Sequence, residues 1–387
     1  MRISTIPSGL TLPRSEESIL NRTDQLVPIA HDSYGINAIL WKVILIFQHI
    51  IRDEMEDKCA EVFLPWPNAV TDVFDFEKNY PTETEIVMRF IENITRTHQA
   101  LPQRIFQFKH VLREIAPVFC SIPSNVSQIF EAYSFSDSEA DLHLQKEIIK
   151  EALLRVLSKT ELPIVIVPEP GKPKESIMCI YTYGNESILY NRKLNIGFRP
   201  EAFEQENPYE LLKRHNIDAD ARTFRPTFAT KIGELYTPGQ VSIRSSFMRD
   251  ENVFSDSPYF MGRYELDLTR LLDCVIAKKH SKRGVIWPDS IAPFEYHIIA
   301  IPEKSSEAER IYTALHQSGI KVIWDDRDIP YKEKLSFAWL IGGNNLIILD
   351  NTWDKDGKHF KVVERSIYGG LPCLSVEKII EAHKKRS

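Results

Sequence analysis

The chain has 387 residues, of which 43% are hydrophobic and 26% charged, a composition that suits two or three globular domains with cores of their own. A formal net charge of −6 excludes indiscriminate binding to nucleic acid, so any RNA contact must come from local patches. The longest apolar run, 39–47, is broken by Lys42 and falls short of the roughly 20 residues a membrane span needs.

Residues 1–15 hold Arg2, Arg14 and four hydroxyl residues (Ser4, Thr5, Ser8, Thr11) ahead of the first acids, Glu16 and Glu17. That composition leans towards a mitochondrial presequence, against which Pro7 and Pro13 spoil an amphipathic helix. Next, Val43, Phe47, Ile50, Ile51 and Met55 recur at helical spacing and predict a helix over 40–58. A strand over 60–64 follows and stops at Pro65, which cannot donate to a sheet ladder. The middle of the chain predicts a helix over 140–158 and strands over 163–167 and 176–183, with the Pro-, Gly- and Lys-rich stretch 168–174 as an exposed loop. The five cysteines, Cys59, Cys120, Cys179, Cys274 and Cys373, are widely spaced and form no C-x-x-C pair. A reducing compartment fits, and neither structural zinc nor another metal site is expected.

From Pro293 onward the pattern is regular. Strands are predicted over 296–301, 321–324 and 345–350, alternating with helices that begin at a capping-box pattern (Ser306, Glu309) and at Tyr331. Gly319 is a natural stop for the first of these helices. The alternation implies a sheet with parallel pairs covered by helices.

The stretch Gly284-Val285-Ile286-Trp287-Pro288-Asp289-Ser290-Ile291-Ala292-Pro293-Phe294-Glu295 resembles the linker of prolyl-tRNA synthetases, which joins a class II catalytic domain to an anticodon-binding domain. Asp325-Asp326-Arg327-Asp328 and Lys334-Leu335-Ser336-Phe337 resemble the same family downstream. The resemblance implies an α+β fold: a class II synthetase-like antiparallel sheet domain over 1–283, a linker over 284–292, and an anticodon-binding-like α/β domain over 293–387. Within it the helix–strand–Pro65 unit resembles motif 1, through which such enzymes dimerise, so a homodimer is expected. No separate insertion domain fits into the middle region, as in the mitochondrial and α-proteobacterial form of the family.

The family's chemistry is ATP-dependent attachment of proline to tRNA(Pro), which needs cations on the triphosphate, usually with Mg²⁺, and an anion for the substrate ammonium. The run Leu112-Arg113-Glu114-Ile115-Ala116-Pro117-Val118-Phe119-Cys120 resembles motif 2, of the type R-D-E-I-R-P-R-F-G. Glu114 matches, whereas Leu112, Ala116 and Val118 stand where arginines belong. Arg113 is one residue out, which on a strand turns it to the other face. Met261-Gly262-Arg263-Tyr264-Glu265-Leu266-Asp267-Leu268-Thr269-Arg270-Leu271 resembles motif 3, M-G-C-Y-G-I-G-V-S-R-L. Arg270 matches its ATP-binding arginine, but Glu265 and Asp267 replace glycines, adding bulk and negative charge beside a polyanion. Pro81-Thr82-Glu83-Thr84-Glu85 resembles the proline-recognition segment P-T-x-E-E, so Thr82, Glu83 and Glu85 are the substrate-binding candidates, with Thr84 in the place of the ammonium-binding glutamate. Residues 225–233 resemble E-V-G-H-x-F-x-L-G, with Phe228 replacing the histidine. The expectation is an eroded ATP site and weak or absent proline activation, unless Arg104, Arg113 or Arg263 supplies a compensating cation; ATP and Mg²⁺ are the cofactors if activity survives.

In the C-terminal domain Arg327, Lys334, Phe337 and Arg365 match family positions around the anticodon surface, where aromatic and arginine side chains suit unstacked bases. The resemblance therefore implies tRNA, specifically tRNA(Pro), as partner. The basic run Lys278-Lys279-His280-Ser281-Lys282-Arg283 reads either as helix-end cations or as a phosphate-contacting patch. Two function classes stay open: a proline–tRNA ligase of mitochondrial translation, located in the matrix, or a non-catalytic nucleic-acid-binding accessory protein on a synthetase scaffold, of which the mitochondrial DNA polymerase accessory subunit is an example.

Overall fold

A computed structural model describes residues 1–3, 25–30, 33–65, 83–94, 101–112, 122, 126–241, 248–249, 253–254, 259–281, 284–351, 360–364 and 375–385. The chain divides into two compact units: Phe47–Cys274, and Met1–Ile46 together with Val275–Ser387. The principal elements, in chain order, are α1 (Ala38–Met55), β1 (Ala60–Glu61), α2 (Glu83–Ile94), β2 (Gln103–Leu112), β3 (Val126–Ser136), α3 (Glu139–Ser158), β4 (Ile164–Pro168), β5 (Lys174–Ile180), β6 (Glu186–Asn191), β7 (Ile196–Phe198), α4 (Pro200–Gln205), α5 (Pro208–Arg214), β8 (Arg225–Val241), β9 (Tyr259–Asp267) and α6 (Leu268–Lys278). After them come β10 (Tyr296–Ala300), α7 (Ser305–Gln317), β11 (Val322–Asp325), α8 (Tyr331–Leu340), β12 (Asn345–Leu349), β13 (Lys361–Glu364) and α9 (Val376–Lys384).

In the first unit β1–β9 form one sheet in the order β1-β2-β3-β9-β8-β5-β4, with β6 pairing to β8 and β7. The β1–β2 pair is parallel and the others are antiparallel, the class II-like sheet that the resemblance implied. The expected strand over 60–64 is shorter in its ladder: after Glu61 only the Val62 N–H continues it, donating to Phe106 O at 2.9 Å.

Strand alternation gives this sheet two different faces. One is covered by α3, whose Leu142, Ile149, Leu153, Val156 and Leu157 are buried. Ser138 caps α3, accepting from the Asp141 N–H, and Glu139 and Asp141 in the first turn complement the helix dipole. On the other face α2 buries Ile86, Val87 and Ile91 against Ile105, Tyr133, Phe135 and Met261. Burial of such side chains is worth roughly 1.5–3 kcal/mol each, so α2 is anchored at one end of that face. Beyond it the face turns polar.

The sequence reading missed α4 and α5. Each begins with proline in its first turn, where the missing N–H costs nothing, and together they pack Ala202, Leu211 and Leu212 around Phe198 and Phe224. The stretch 168–174, read as a loop, is the turn of the β4–β5 hairpin with Gly171 at φ +66°.

In the second unit the sheet order is β11-β10-β12-β13, parallel at its first two pairings and antiparallel at the last. Ile298, Ala300, Ile347 and Leu349 pack with Ala308, Ile311 and Leu315 of α7 and Ile379 of α9, while Ile299, Leu346 and Ile348 pack with Ala338 of α8. The expected α/β layers are there. The capping box is not: α7 starts at Ser305, Lys304 precedes it with no side-chain cap, and the Glu309 carboxylate instead accepts from Arg2 at 2.5 Å. Gly319 ends the helix as read, at φ +80°.

Two features bind distant sequence into this unit. The Met1 ammonium donates to Val322 O at 2.9 Å and the Trp324 N–H to Met1 O at 3.0 Å, with the Arg2 guanidinium 5.0 Å from the Trp324 ring centroid. Trp287 of the linker buries its ring and donates from Nε1 to Ile341 O at 2.8 Å. Gly284, at φ +132°, lies against the Trp339 and Leu340 backbone, where a Cβ would collide. Gly284→Ala should therefore lower thermal stability by about 2 kcal/mol or more, read by calorimetry against wild type.

Candidate functional site

Five strands and one helix terminus bring charged side chains to the open face of the nine-stranded sheet. The registers Gln107↔Glu131, Glu131↔Glu265 and Tyr133↔Arg263 place these groups side by side across β2, β3 and β9. Lys109 lies two residues along β2 from Gln107, and α2 delivers Glu83 from its first position.

The contacts form a closed network. The Lys109 ammonium bonds to the Glu83 carboxylate and lies 2.6 Å from Glu131 Oε2. Arg263 donates from Nε to Glu131 Oε1 at 2.8 Å and lies 3.4 Å from Glu83 Oε1 and 3.5 Å from Glu265 Oε2. The Tyr133 hydroxyl donates to Glu83 Oε1 at 3.0 Å. Glu131 is wholly buried, and Lys109 nearly so. In these contacts of the described residues three carboxyl groups meet two cations, and the crowding of negative charge determines where a proton sits. Burial pushes the Glu83 carboxyl up to about 7, and its hydrogen bond to Glu131 and that residue's charge push the same way, against Lys109 and Arg263. Glu131 is deeper, yet it is held below the ordinary carboxylate range: burial opposes this, but the hydrogen bond from Glu83 and the two cations outweigh it.

The network continues along the sheet. Lys174 and Lys231 both engage Glu234, Lys174 at 2.6 Å. At the margin Arg199 pairs with Glu169 and Glu186, each at 2.7 Å, while the Ser176 hydroxyl donates to Glu169. All these cations are already matched by carboxylates of the same chain.

Arg270, the motif 3-like arginine, follows the same rule. Asp267 sits just before α6 and caps it, its Oδ1 accepting from the Arg270 N–H at 2.9 Å. Its Oδ2 lies 3.6 Å from Arg270 Nε, so the carboxylate that caps the helix also engages this arginine. The described residues do not fit a triphosphate, because Glu131, Glu265 and Asp267 would repel it and the nearby cations are engaged. Among the described residues no group of His, Cys, Asp and Glu could hold a metal ion.

Of the residues singled out from sequence, Glu83 enters the network, while Thr84 and Glu85 are exposed on the first turn of α2. Leu112 ends β2 with its side chain largely exposed, and Phe228 is exposed on β8. Arg104 is turned to the α3 side, donating to Lys58 O at 2.5 Å and Gln145 Oε1 at 2.6 Å. Thr82, Arg113, Glu114, Ala116, Val118 and Arg365 lie outside the described residues. Lys109, Glu131 and Glu234 were not read as site residues. Their signal was a charge at alternate positions of otherwise apolar strands.

In the C-terminal unit Arg327 makes a two-pronged pair with buried Asp325, at 2.9 Å from Nε and 2.7 Å from NH2, and its guanidinium lies 4.2 Å from the Phe337 ring centroid. Lys334 is buried and donates to Asp325 O at 3.3 Å, so its charge points inward. His297, fully buried on the adjacent strand, has its imidazole pushed down to about 4 by burial, with Asp325 opposing, and stays neutral at physiological pH. Arg327 and Phe337 thus form a stacked pair at the end of β11.

The raised Glu83 value has a sign. A carboxyl whose folded pKa of about 7 exceeds its unfolded value of 4.5 favours the folded state at low pH, and that contribution is lost as pH rises from about 4.5 through 7. Glu83→Gln, which keeps a neutral hydrogen-bonding group, should flatten the fall in melting temperature between pH 5 and pH 8. At pH 8 it should stabilise by roughly 1 kcal/mol, the shift being discounted for partial exposure. Parallel melting curves for the two proteins across that range would contradict the assignment.

No protein-family model matches the chain. The proline–tRNA ligase of Rickettsia bellii is 22% identical over 346 residues, covering 80% of each chain. That of Dehalococcoides mccartyi is 34% identical over 174 residues, 42% of this chain and 30% of the relative. Among solved structures, a prolyl-tRNA synthetase from Cryptosporidium parvum complexed with L-proline and AMP superposes with a TM-score of 0.64 at 13% identity, over 95% of this chain and 78% of its own. The enzyme of that organism complexed with halofuginone and AMPPNP gives 0.67 at 12%, over 95% and 73%.

Proposed function

We propose a function from one premise, that the chain belongs to the prolyl-tRNA synthetase family: it is a tRNA-binding protein of mitochondrial translation in which proline activation is weak or lost. The observation that carries this reading is Asp267, which takes a glycine position of motif 3 and engages Arg270 at 3.6 Å, beside a face whose cations are matched in cis. Loss of one phosphate-binding arginine in a dry pocket removes about 2–4 kcal/mol of transition-state stabilisation, or two to three decades in rate. Added carboxylates deepen the loss. Proline-dependent ATP–pyrophosphate exchange by the purified protein should therefore be near background, and exchange at ordinary synthetase rates would refute the reading.

Binding of tRNA is assigned to the C-terminal unit. The guanidinium of Arg327, held over the Phe337 ring and fixed by Asp325, offers a preorganised surface for an unstacked base or a phosphate. Lys334 contributes by holding the Asp325 backbone rather than by contact. Arg327→Ala should weaken binding of tRNA(Pro) and lower the slope of log affinity against log salt by about 1. An unchanged affinity and slope would remove the assignment.

The protein acts as a homodimer in the mitochondrial matrix. Support for the dimer comes from Phe63, 93% exposed two residues before the motif 1-like proline, and from Leu45, an exposed apolar side chain of α1. Support for the compartment is the acid-free composition of residues 1–15. Light scattering should give twice the chain mass at micromolar concentration, and the endogenous protein should fractionate with the matrix; a monomer, or a protein confined to the cytosol, contradicts the respective claim.

A further inference from the structure

At the centre of the polar band is a cation supplied by the chain itself. Arg263 lies on β9 opposite Tyr133, and carboxylates from three separate elements converge on its guanidinium: Glu131 of β3 at 2.8 Å, Glu83 of α2 at 3.4 Å and Glu265 of β9 at 3.5 Å. Each of the two deeper carboxylates has a second support that does not involve Arg263. Lys109 engages both Glu83 and Glu131, and the Tyr133 hydroxyl donates to Glu83 at 3.0 Å. The carboxylates would therefore remain in place if the guanidinium were removed, leaving an anionic hollow whose wall includes a fully buried carboxylate. The Arg263 side chain keeps 30% of its surface exposed, so this position can be reached from solvent.

We propose that Arg263 is an internal ligand, whose guanidinium fills a cation-binding pocket formed by Glu83, Glu131 and Glu265 and so keeps free guanidinium and primary ammonium compounds out. The pocket takes a planar monovalent cation because its carboxylates meet the donor edges of a rigid fork, an arrangement that a round, strongly hydrated ammonium satisfies less well. Removing the side chain takes one positive charge from beside three carboxyl groups, which favours uptake of a positive ligand in competition with a proton on Glu83. The inference rests on the reading that this face does not activate an amino acid, since the occupant is part of the chain.

The experiment is rescue of Arg263→Ala by small cations, followed by thermal unfolding. Ethylguanidinium and guanidinium at about 10 mM are compared with sodium and tetramethylammonium chlorides at equal ionic strength, using the stabilisation expected of any ligand that binds only the folded state. The variant should melt below wild type and regain part of the loss saturably with the two guanidinium compounds, ethylguanidinium acting at lower concentration because its ethyl group replaces part of the missing stem. Wild type should show no such gain. A folded variant that responds to guanidinium as it does to sodium overturns the proposal. Should Arg263→Ala fail to fold, Arg263→Met, which restores the apolar stem without the charge, takes its place and must show the same rescue by guanidinium. Adding Glu265→Gln should raise the concentration needed for rescue several-fold. The readout is stability: robust pyrophosphate exchange by wild type would defeat the proposed function and leave the rescue legible, while absent rescue would defeat the internal ligand and leave the RNA-binding reading standing.

Discussion

Charge balance on the open face of the antiparallel sheet is the constraint on which the rest of the first unit depends. A buried carboxylate such as Glu131 is costly unless cations and hydrogen bonds compensate it, and Lys109 and Arg263 are positioned by β2 and β9 to do so. Those strands can hold them because α2 and α3 bury apolar surface at one end and on the back of the sheet, which fixes the register. Once every cation is engaged, the face has little left to offer an anionic nucleotide. Glu265 and Asp267 each engage a cation of this face, Arg263 at 3.5 Å and Arg270 at 3.6 Å.

The carboxylates of Asp267 and Glu265 have separate structural uses. Asp267 caps α6 through the Arg270 N–H, a contribution of about 1 kcal/mol relative to alanine and a few tenths relative to glycine. Glu265 lies opposite Glu131 on the neighbouring strand, a like-charge pairing that would destabilise the sheet were Arg263 not between them. Arg263 and Glu265 are therefore mutually supportive. Removal of Arg263 would leave Glu265 facing Glu131 without the cation between them, whereas removal of Glu265 would leave Arg263 its contacts with Glu131 and Glu83.

Much of the architecture was legible before the structure. The C-terminal alternation of strands and helices showed because buried parallel strands read as apolar runs and Gly319 stops α7. Helix α1 was placed within a few residues because its buried positions recur at 3.6 spacing. What failed had local causes. Ser306 and Glu309 have the spacing of a capping box, but the helix begins one residue earlier and Glu309 is drawn to Arg2 by a contact spanning more than 300 residues. Short helices α4 and α5 have too few turns for a periodic signal and show only their prolines. The site was half visible: the motifs led to Glu83, Arg263, Glu265 and Arg270, whereas Lys109 and Glu131 become site residues only through the registers of β2, β3 and β9, which no one-dimensional pattern carries.

The measurement that tests the central claim most directly is equilibrium binding of a non-hydrolysable prolyl-adenylate analogue to the wild-type protein by titration calorimetry. That ligand joins the two groups the face would have to accept, a substrate ammonium and a nucleotide phosphate, and it does so without requiring a chemical step. A face closed by its own ion pairs predicts no saturable heat up to about millimolar ligand. Saturable one-to-one binding with a micromolar or tighter constant would contradict the account, since it would require Arg263 and Arg270 to leave their carboxylates for the ligand.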